Sequence, residues 1–116
     1  MKRILMHSKI HRASVTGADL HYEGSCSIDE DILDQANISV YEQLHIVNIN
    51  NGHRFVTYAI PGKRGSREIC LNGACARLAQ IGDKIIIMTY AEMETADIKA
   101  HKPTVLIMNE DNSVQS

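Results

Sequence analysis

Residues 42–60, EQLHIVNINNGHRFVTYAI, carry the strongest local structural signal in this chain. Two stretches rich in apolar and β-branched residues, 42–49 and 53–60, flank the turn Asn50-Asn51-Gly52. An Asn-Gly pair readily adopts the positive φ angles that a tight turn between antiparallel strands requires. The stretch therefore predicts a β-hairpin.

Further strand signals lie on both sides of the hairpin. Alternating or continuous apolar residues predict strands over 2–15, 67–71, 85–90 and 104–108. The 85–90 stretch is apolar enough to predict burial on both faces. Residues 61–65 form a basic loop in this interpretation, and the polar tail 109–116 is expected to fray.

Helix signals are short. Residues 27–38, SIDEDILDQANI, predict a helix with Ser27 or Asp29 as N-cap, and residues 72–79 predict the start of a second. Many short strands with two short helices favour a mainly β fold, a β-barrel rather than a layered α/β sheet.

Composition limits the function classes. A chain of 116 residues suits a single domain, 1–116, with one modest core. The net charge is −2, and Lys and Arg are scattered along the sequence rather than grouped into a basic face. This pattern argues against nucleic acid and anionic membranes as partners. The charged N-terminus does not resemble a signal peptide, so we expect a cytoplasmic protein.

Cysteine and histidine spacing argues against a metal site. Cys26, Cys70 and Cys75 are odd in number and contain no C-x-x-C pair, so we expect reduced thiols. His7 and His11 are four residues apart, which on a strand separates them by about 13 Å, too far for one ion.

The bond between Gly24 and Ser25, in HYEGSCSID (21–29), allows unusual chemistry. Glycine can hold a backbone conformation closed to other residues, and the Ser25 hydroxyl can attack the carbonyl of residue 24. The resulting ester can eliminate to dehydroalanine, which hydrolyses to a pyruvoyl ketone. Gly-Ser is also common in ordinary turns, so the dipeptide alone leaves both interpretations open.

Several separated motifs, in one order, add to this reading. They are HSKIHRASVTGADLHYEGSCSID (7–29), NNGHRFVTYAI (50–60), RGSREICLNGACA (64–76) and IGDKIIIM (81–88). Together they closely resemble the pyruvoyl-dependent aspartate 1-decarboxylases. The resemblance implies conversion of L-aspartate to β-alanine and CO2 in pantothenate and coenzyme A biosynthesis.

The resemblance also implies an architecture and a maturation step. It implies a double-psi β-barrel assembled as a homotetramer, with active sites near subunit interfaces. Cleavage between Gly24 and Ser25 would give a β chain, 1–24, and an α chain, 25–116. The cofactor would be a pyruvoyl group made from Ser25, with neither metal nor pyridoxal phosphate.

Residue roles follow from the same resemblance. Ser25 would become the pyruvoyl group and form a Schiff base with the substrate, and Tyr58 would protonate the carbanion left by CO2. Thr57 would assist processing at the Gly24 carbonyl and contact the substrate. Substrate binding would also involve Lys9, Arg54, Asn72, Gly73, Ala74 and Cys75, with His11 and Tyr22 lining the same pocket.

Physical chemistry supports two of these assignments. Arg54 offers a planar fork for a carboxylate, and Lys9 adds a second positive charge for a dianionic substrate. Two alternatives stay open. One is a self-processing hydrolase that keeps Ser25 as an N-terminal nucleophile, and the other is a β-barrel binding module with no cleavage.

Overall fold

Strands dominate the computed structural model, which describes residues 1–115. In chain order the strands are β1 (Lys2–Ser14), β2 (Gly17–Asp19), β3 (Ser25–Asp29), β4 (Gln43–Asn48), β5 (Arg54–Gly62), β6 (Ile69–Asn72), β7 (Lys84–Glu94) and β8 (Thr104–Ile107). The helices are α1 (Glu30–Ala36) and two 3₁₀ helices, Gly73–Leu78 and Thr95–Ala100.

The strands close into a barrel. Their hydrogen-bonded order is β2-β6-β3-β5-β4-β7-β1-β8, with β8 parallel to β1 at one end. The chain runs directly from β1 into β2, which lies at the other end of the order. At this junction the Val15 N–H donates to Asp83 O at 2.9 Å, and the Thr16 N–H donates to Ile69 O at 2.8 Å. The small, mainly β barrel predicted from the sequence is confirmed.

The barrel has one apolar inner face. Its largest fully buried aliphatic side chains are Ile10, Ile28, Leu44, Ile46, Ile69, Leu71, Ile85 and Ile87. In β7, Ile85 and Ile87 are buried, whereas Ile86 and Met88 between and after them are only half-buried. The prediction that 85–90 is buried on both faces is therefore wrong, because only one face of a barrel wall meets the core.

Local signals located most elements. The hairpin is confirmed: β4 pairs antiparallel with β5, and Gly52 in the turn has φ +76°. Helix α1 is confirmed with Asp29 as N-cap, since its carboxylate accepts the Asp31 N–H at 2.8 Å. The helix predicted at 72–79 is a 3₁₀ helix. Strands β2 and β3 and the second 3₁₀ helix were not predicted, and residues 27–29, predicted as the start of the helix, belong to β3.

Several strand boundaries also differ from the prediction, and β7 ends at Glu94 rather than at residue 90. Strand β5 continues to Gly62, into the stretch predicted as a loop. Strand β6 begins at Ile69 rather than Arg67, whose φ of +58° is incompatible with an extended strand.

The C-terminal tail is anchored. Asn112 is 2% exposed; its Oδ1 accepts the Ser14 N–H at 2.7 Å and its Nδ2 donates to Ser14 O at 2.9 Å. The Gln115 N–H donates to Ile107 O at 2.7 Å. The prediction of fraying is wrong for 109–115, because the tail satisfies backbone groups at the end of β1. Its last residue, Ser116, lies outside the described residues.

Within residues 1–115, no helix has the length and apolar character needed to cross a bilayer.

Candidate active site

Ser25 is the buried centre of the site. It opens β3, is 1% exposed, and lies directly opposite Asn72 of β6. Its Oγ accepts a hydrogen bond from Asn72 Nδ2 at 3.0 Å, and its hydroxyl faces the Glu23 carbonyl at 3.4 Å. Residue 25 is a serine joined to Gly24 by a peptide bond.

Gly73 permits a close approach to the bond before Ser25. It has φ +75°, and a Cβ at this position would lie 2.7 Å from Gly24 Cα and 2.8 Å from Gly24 N. A Cβ on Gly24 would meet no atom within 4 Å, and the φ of Gly24 lies outside the left-handed region. Gly24 therefore does not use the left-handed backbone freedom that glycine offers. Glycine is required at Gly73 instead.

Four side chains form what we call the Asn72 cluster: Ser25, Ser27, Cys70 and Asn72. Asn72 Nδ2 donates to both serine hydroxyls, each at 3.0 Å. The Cys70 thiol donates to Asn72 Oδ1 at 3.4 Å. All four lie on the face of the β3–β6 pair opposite the core, because they alternate with fully buried Cys26, Ile28, Ile69 and Leu71.

Sequence reasoning missed Ser27 and Cys70 as members of this cluster. A signal was available, since Ser27 is two residues from Ser25, and Cys70 is two residues from Asn72. Residues two apart in a strand share a face. Recognising the cluster, however, also requires knowing that β3 pairs with β6.

Cys75 is the second sulfur at the site. Its thiol donates to Asn72 O at 3.1 Å and lies 3.8 Å from Ser25 O. Burial raises the pKa of the Cys75 thiol, so it stays protonated and acts as a donor at neutral pH. Ala74, the neighbouring predicted site residue, is exposed.

Register brings Thr57 and Tyr58 level with the Gly24–Ser25 bond. Cys26 pairs with Ala59 in the parallel β3–β5 ladder. Continuing this register backwards puts Ser25 level with Tyr58 and Gly24 level with Thr57. The Thr57 side chain lies on the inner side, opposite Leu44, and makes no hydrogen bond within residues 1–115. Tyr58 lies on the outer side, with its ring 6.4 Å from that of Tyr41.

Lys9 and Arg54 both lie on the side of β1, β7, β4 and β5 that faces away from the core. We call this side the outer face. Lys9 is opposite Met88, Met88 opposite His45, and His45 opposite Val56. Arg54 lies two residues from Val56. Three strand spacings and two residues separate Lys9 from Arg54 by about 15 Å.

No hydrogen bond or ion pair joins Lys9, Arg54 or His11 to Ser25 within the described part of the chain. The structure thus brings Gly24, Ser25, Asn72, Gly73 and Cys75 together and leaves these three basic residues apart. Tyr22 contributes backbone to the close approach at Gly73, while its side chain is 55% exposed.

His11 has an unusual environment on the outer face. Its Nδ1 is buried and has no hydrogen-bond partner among the described residues. Burial, followed by the charges of Lys9 and Arg12, lowers the pKa of His11 below 6.5. The imidazole is therefore neutral at pH 7.

The family comparison covers all of these positions. A family model described as aspartate decarboxylase matches residues 1–115.

The chain belongs to the aspartate decarboxylase family.

Curated relatives agree with the family match. The chain is 53% identical over 115 residues to an aspartate 1-decarboxylase of Cupriavidus necator, covering 99% of this chain and 96% of the relative. It is 56% identical over 114 residues to an aspartate 1-decarboxylase of Maricaulis maris, covering 98% and 94% respectively. The resemblance read from the sequence motifs is thus confirmed.

Metal ligands are not grouped in this aspartate decarboxylase family member. Within residues 1–115, no three His, Cys, Asp or Glu side chains are arranged to hold a metal ion. His7 Nδ1 lies 3.1 Å from Ser8 Oγ and 3.4 Å from Thr89 Oγ1. The side chains beside Ser25 carry hydroxyl, amide and thiol groups.

Proposed function

We propose that this chain is a self-processing, pyruvoyl-dependent decarboxylase that converts L-aspartate to β-alanine and CO2 for pantothenate and coenzyme A biosynthesis. The observation that carries the proposal is the Ser25 hydroxyl. It is buried next to Gly24, and the Asn72 amide fixes it at 3.0 Å. Family membership over residues 1–115 supports the substrate and the reaction.

Processing begins at Ser25 Oγ. This oxygen attacks the Gly24 carbonyl carbon, and the peptide C–N bond breaks. An ester then joins the Gly24 carbonyl to Ser25 Oγ, and the Ser25 amine is free. Loss of the Ser25 Cα proton then breaks the Cβ–Oγ bond, and Gly24 leaves as a carboxylate. The dehydroalanine at position 25 takes up water and releases ammonia, which leaves a ketone. The products are the segments 1–24 and 25–116.

Thr57 assists the first step. Extending the β3–β5 register two residues before the Cys26–Ala59 pair puts Thr57 level with Gly24, and its hydroxyl has no other partner in the described residues. A hydroxyl at this position donates to the oxyanion that forms on the Gly24 carbonyl.

The surroundings of residue 25 fit a pyruvoyl group. Asn72 supplies a buried amide donor, Cys75 a protonated thiol 3.8 Å from the residue 25 carbonyl oxygen, and Gly73 the room for close approach. When formed, the pyruvoyl ketone supplies an electron sink that no ordinary side chain offers. We propose neither a metal nor pyridoxal phosphate.

The remaining site residues bind the substrate and move its proton. Arg54, with Lys9, holds the side-chain carboxylate of aspartate, because a guanidinium fork and a second cation match a dianion. Asn72, Gly73, Ala74 and Cys75 line the pocket beside residue 25, with Thr57, His11 and Tyr22. Tyr58, level with Ser25, delivers a proton to the substrate α-carbon after CO2 leaves.

We propose a homotetramer with sites near subunit interfaces. The outer face carries exposed apolar groups: Val56 is 56% exposed, Val105 42% and Tyr90 40%. Lys9 and Arg54 lie too far apart in one chain to hold one small carboxylate together. A second copy packed on the outer face would bury these groups and complete the pocket.

We place the enzyme in the cytoplasm. Cys26, Cys70 and Cys75 are free thiols, two of them buried, which suits a reducing compartment.

Intact mass of the denatured protein, with and without borohydride reduction, tests the proposal. Wild type should give two segments split at Gly24-Ser25, the larger lighter by one ammonia than a chain beginning with serine and reducible by borohydride. Ser25→Ala should stay intact, and Ser27→Ala, which keeps the attacking hydroxyl, should cleave. A larger segment that begins with a free serine would favour the hydrolase. An uncleaved wild type would favour the binding module.

A further inference from the structure

We propose that Cys70 is a positioning residue for self-processing, whose thiol keeps the NH2 side of the Asn72 carboxamide facing Ser25 Oγ. This inference rests on the proposed function, because it concerns how the Ser25 oxygen is prepared for its reaction. It concerns a side chain that the processing chemistry described above does not use.

The Asn72 carboxamide is held at both ends. Its Nδ2 donates to Ser25 Oγ and Ser27 Oγ at 3.0 Å each, and its Oδ1 accepts from the Cys70 thiol at 3.4 Å. Asn72 is 4% exposed, and the 3₁₀ helix it precedes receives no side-chain cap from it. The amide is therefore committed to this cluster.

Cys70 is the member that selects the amide orientation. A carboxamide rotated by half a turn exchanges its oxygen and nitrogen, and the hydroxyls of Ser25 and Ser27 accept either, since a hydroxyl both donates and accepts. A thiol donates, but its sulfur is a weak acceptor, so it favours Oδ1 over Nδ2 as its neighbour. Burial and the nearby carboxylates of Glu68 and Asp19 raise the pKa of the Cys70 thiol, which keeps its proton in place.

The orientation matters because of what happens to Ser25 Oγ. This atom becomes the ester oxygen and then departs with Gly24 as a carboxylate, so negative charge grows on it. An amide N–H directed at that oxygen stabilises the charge, whereas an amide carbonyl there would repel it. The thiol thus acts through Asn72 on the elimination step.

Gly17 leaves room for the thiol. A Cβ on Gly17 would lie 3.0 Å from Cys70 Sγ, and the φ of Gly17 is outside the left-handed region. Gly17→Ala is therefore acceptable to the backbone and displaces the sulfur. It perturbs the same contact without changing Cys70 itself.

Cleavage kinetics of freshly purified full-length chain test the inference. Cys70→Ala should cleave about tenfold more slowly than wild type, the upper range for losing one neutral hydrogen bond. Cys70→Ser keeps a donor, but its hydroxyl also accepts from Nδ2 and no longer selects one amide orientation, so it should restore cleavage only in part. Hydroxylamine, which cuts esters, should trap more chain in Cys70→Ala than in wild type, because elimination is the slowed step.

Gly17→Ala provides the second, independent variant. It should slow cleavage in the wild-type background and add nothing in the Cys70→Ala background, because both changes remove one interaction. Melting temperatures of all variants separate this effect from unfolding. A merely structural role would make the cleavage rate follow melting temperature and would leave ester trapping unchanged.

The outcomes distinguish the two proposals. If wild type cleaves and Cys70→Ala cleaves equally fast, the positioning role is overturned and the proposed function stands. If Cys70→Ser cleaves as fast as wild type, the weak acceptor character of the thiol is not what matters, and the inference is again overturned. If wild type forms neither ester nor cleaved chain, both fall, because there is no reaction for Cys70 to serve.

Discussion

Gly73 and Gly24 are in backbone contact so close that a single methyl group on Gly73 would lie 2.7 Å from Gly24 Cα. Real Cβ atoms do not approach backbone this closely. The start of the 3₁₀ helix therefore presses directly on the residue before Ser25. This contact gives the proposed cleavage bond a fixed position.

Gly73→Ala should consequently impair both folding and cleavage. The change combines a left-handed φ, which costs about 1–2 kcal/mol for a residue with a Cβ, with a clash against Gly24. Gly52→Ala is a matched control, because Gly52 has φ +76° but open space around the added Cβ. Urea unfolding should show a larger loss for Gly73→Ala, and only that variant should lose cleavage. Equal losses and normal cleavage in both variants would contradict the importance of the contact.

Arg54→Ala should allow cleavage yet weaken binding of aspartate. Loss of a charged hydrogen-bonded contact costs about 1.5–3 kcal/mol, so KM for aspartate should rise roughly tenfold or more. Arg64→Ala is the control, because Arg64 pairs with Glu30, Asp31 and Asp34 beside α1 rather than with the site. Unchanged aspartate kinetics in Arg54→Ala would remove Arg54 from the pocket.

His11 should make the fold less stable in acid. Its folded-state pKa is below the ordinary value of 6.5, so the unfolded chain binds a proton first as pH falls. The free energy of unfolding should be constant at pH values above the ordinary pKa of 6.5. It should decline as pH falls from there through the lower pKa of the folded state. His11→Gln should reduce this decline, whereas His53→Gln in the exposed hairpin turn should not. Identical pH profiles for wild type and His11→Gln would exclude this role.

Asn112→Ala should destabilise the barrel by about 2–3 kcal/mol. The substitution removes hydrogen bonds to the Ser14 N–H, Ser14 O and Arg67 O and leaves buried backbone groups unpaired. Asn109→Ala, which removes only an exposed contact to Ser113, should cost under about 0.5 kcal/mol. Chemical denaturation compares the two, and similar stabilities would show that the tail does not close the barrel.

Short-range signals were sufficient for the local elements. Asn51-Gly52 specifies its hairpin turn, and Asp29 caps α1, because each acts on residues within a few positions. Alternation in β7 was misjudged because Ile86 is apolar yet faces outward. Residue type alone does not show whether an apolar side chain on a barrel wall faces the core or the outside, where a partner surface can cover it.

Long-range contacts could not be predicted from such signals. The approach of Gly73 to Gly24, the pairing of Asn72 with Ser25 and the anchoring of Ser14 by Asn112 join residues far apart in the chain. Each depends on which strands are neighbours in the barrel. The resemblance to a family named Ser25 and Asn72, but Ser27 and Cys70 emerged only from the β3–β6 register.

Turnover of L-aspartate tests pyruvoyl-dependent decarboxylation most directly: the cleaved protein is incubated with L-aspartate, β-alanine and CO2 are measured, and cyanoborohydride is added to a parallel sample. We expect equal amounts of both products, and a mass increase confined to segment 25–116 that matches reductive coupling of β-alanine or aspartate at residue 25. Cleaved protein that forms no β-alanine and gains no mass would contradict this expectation.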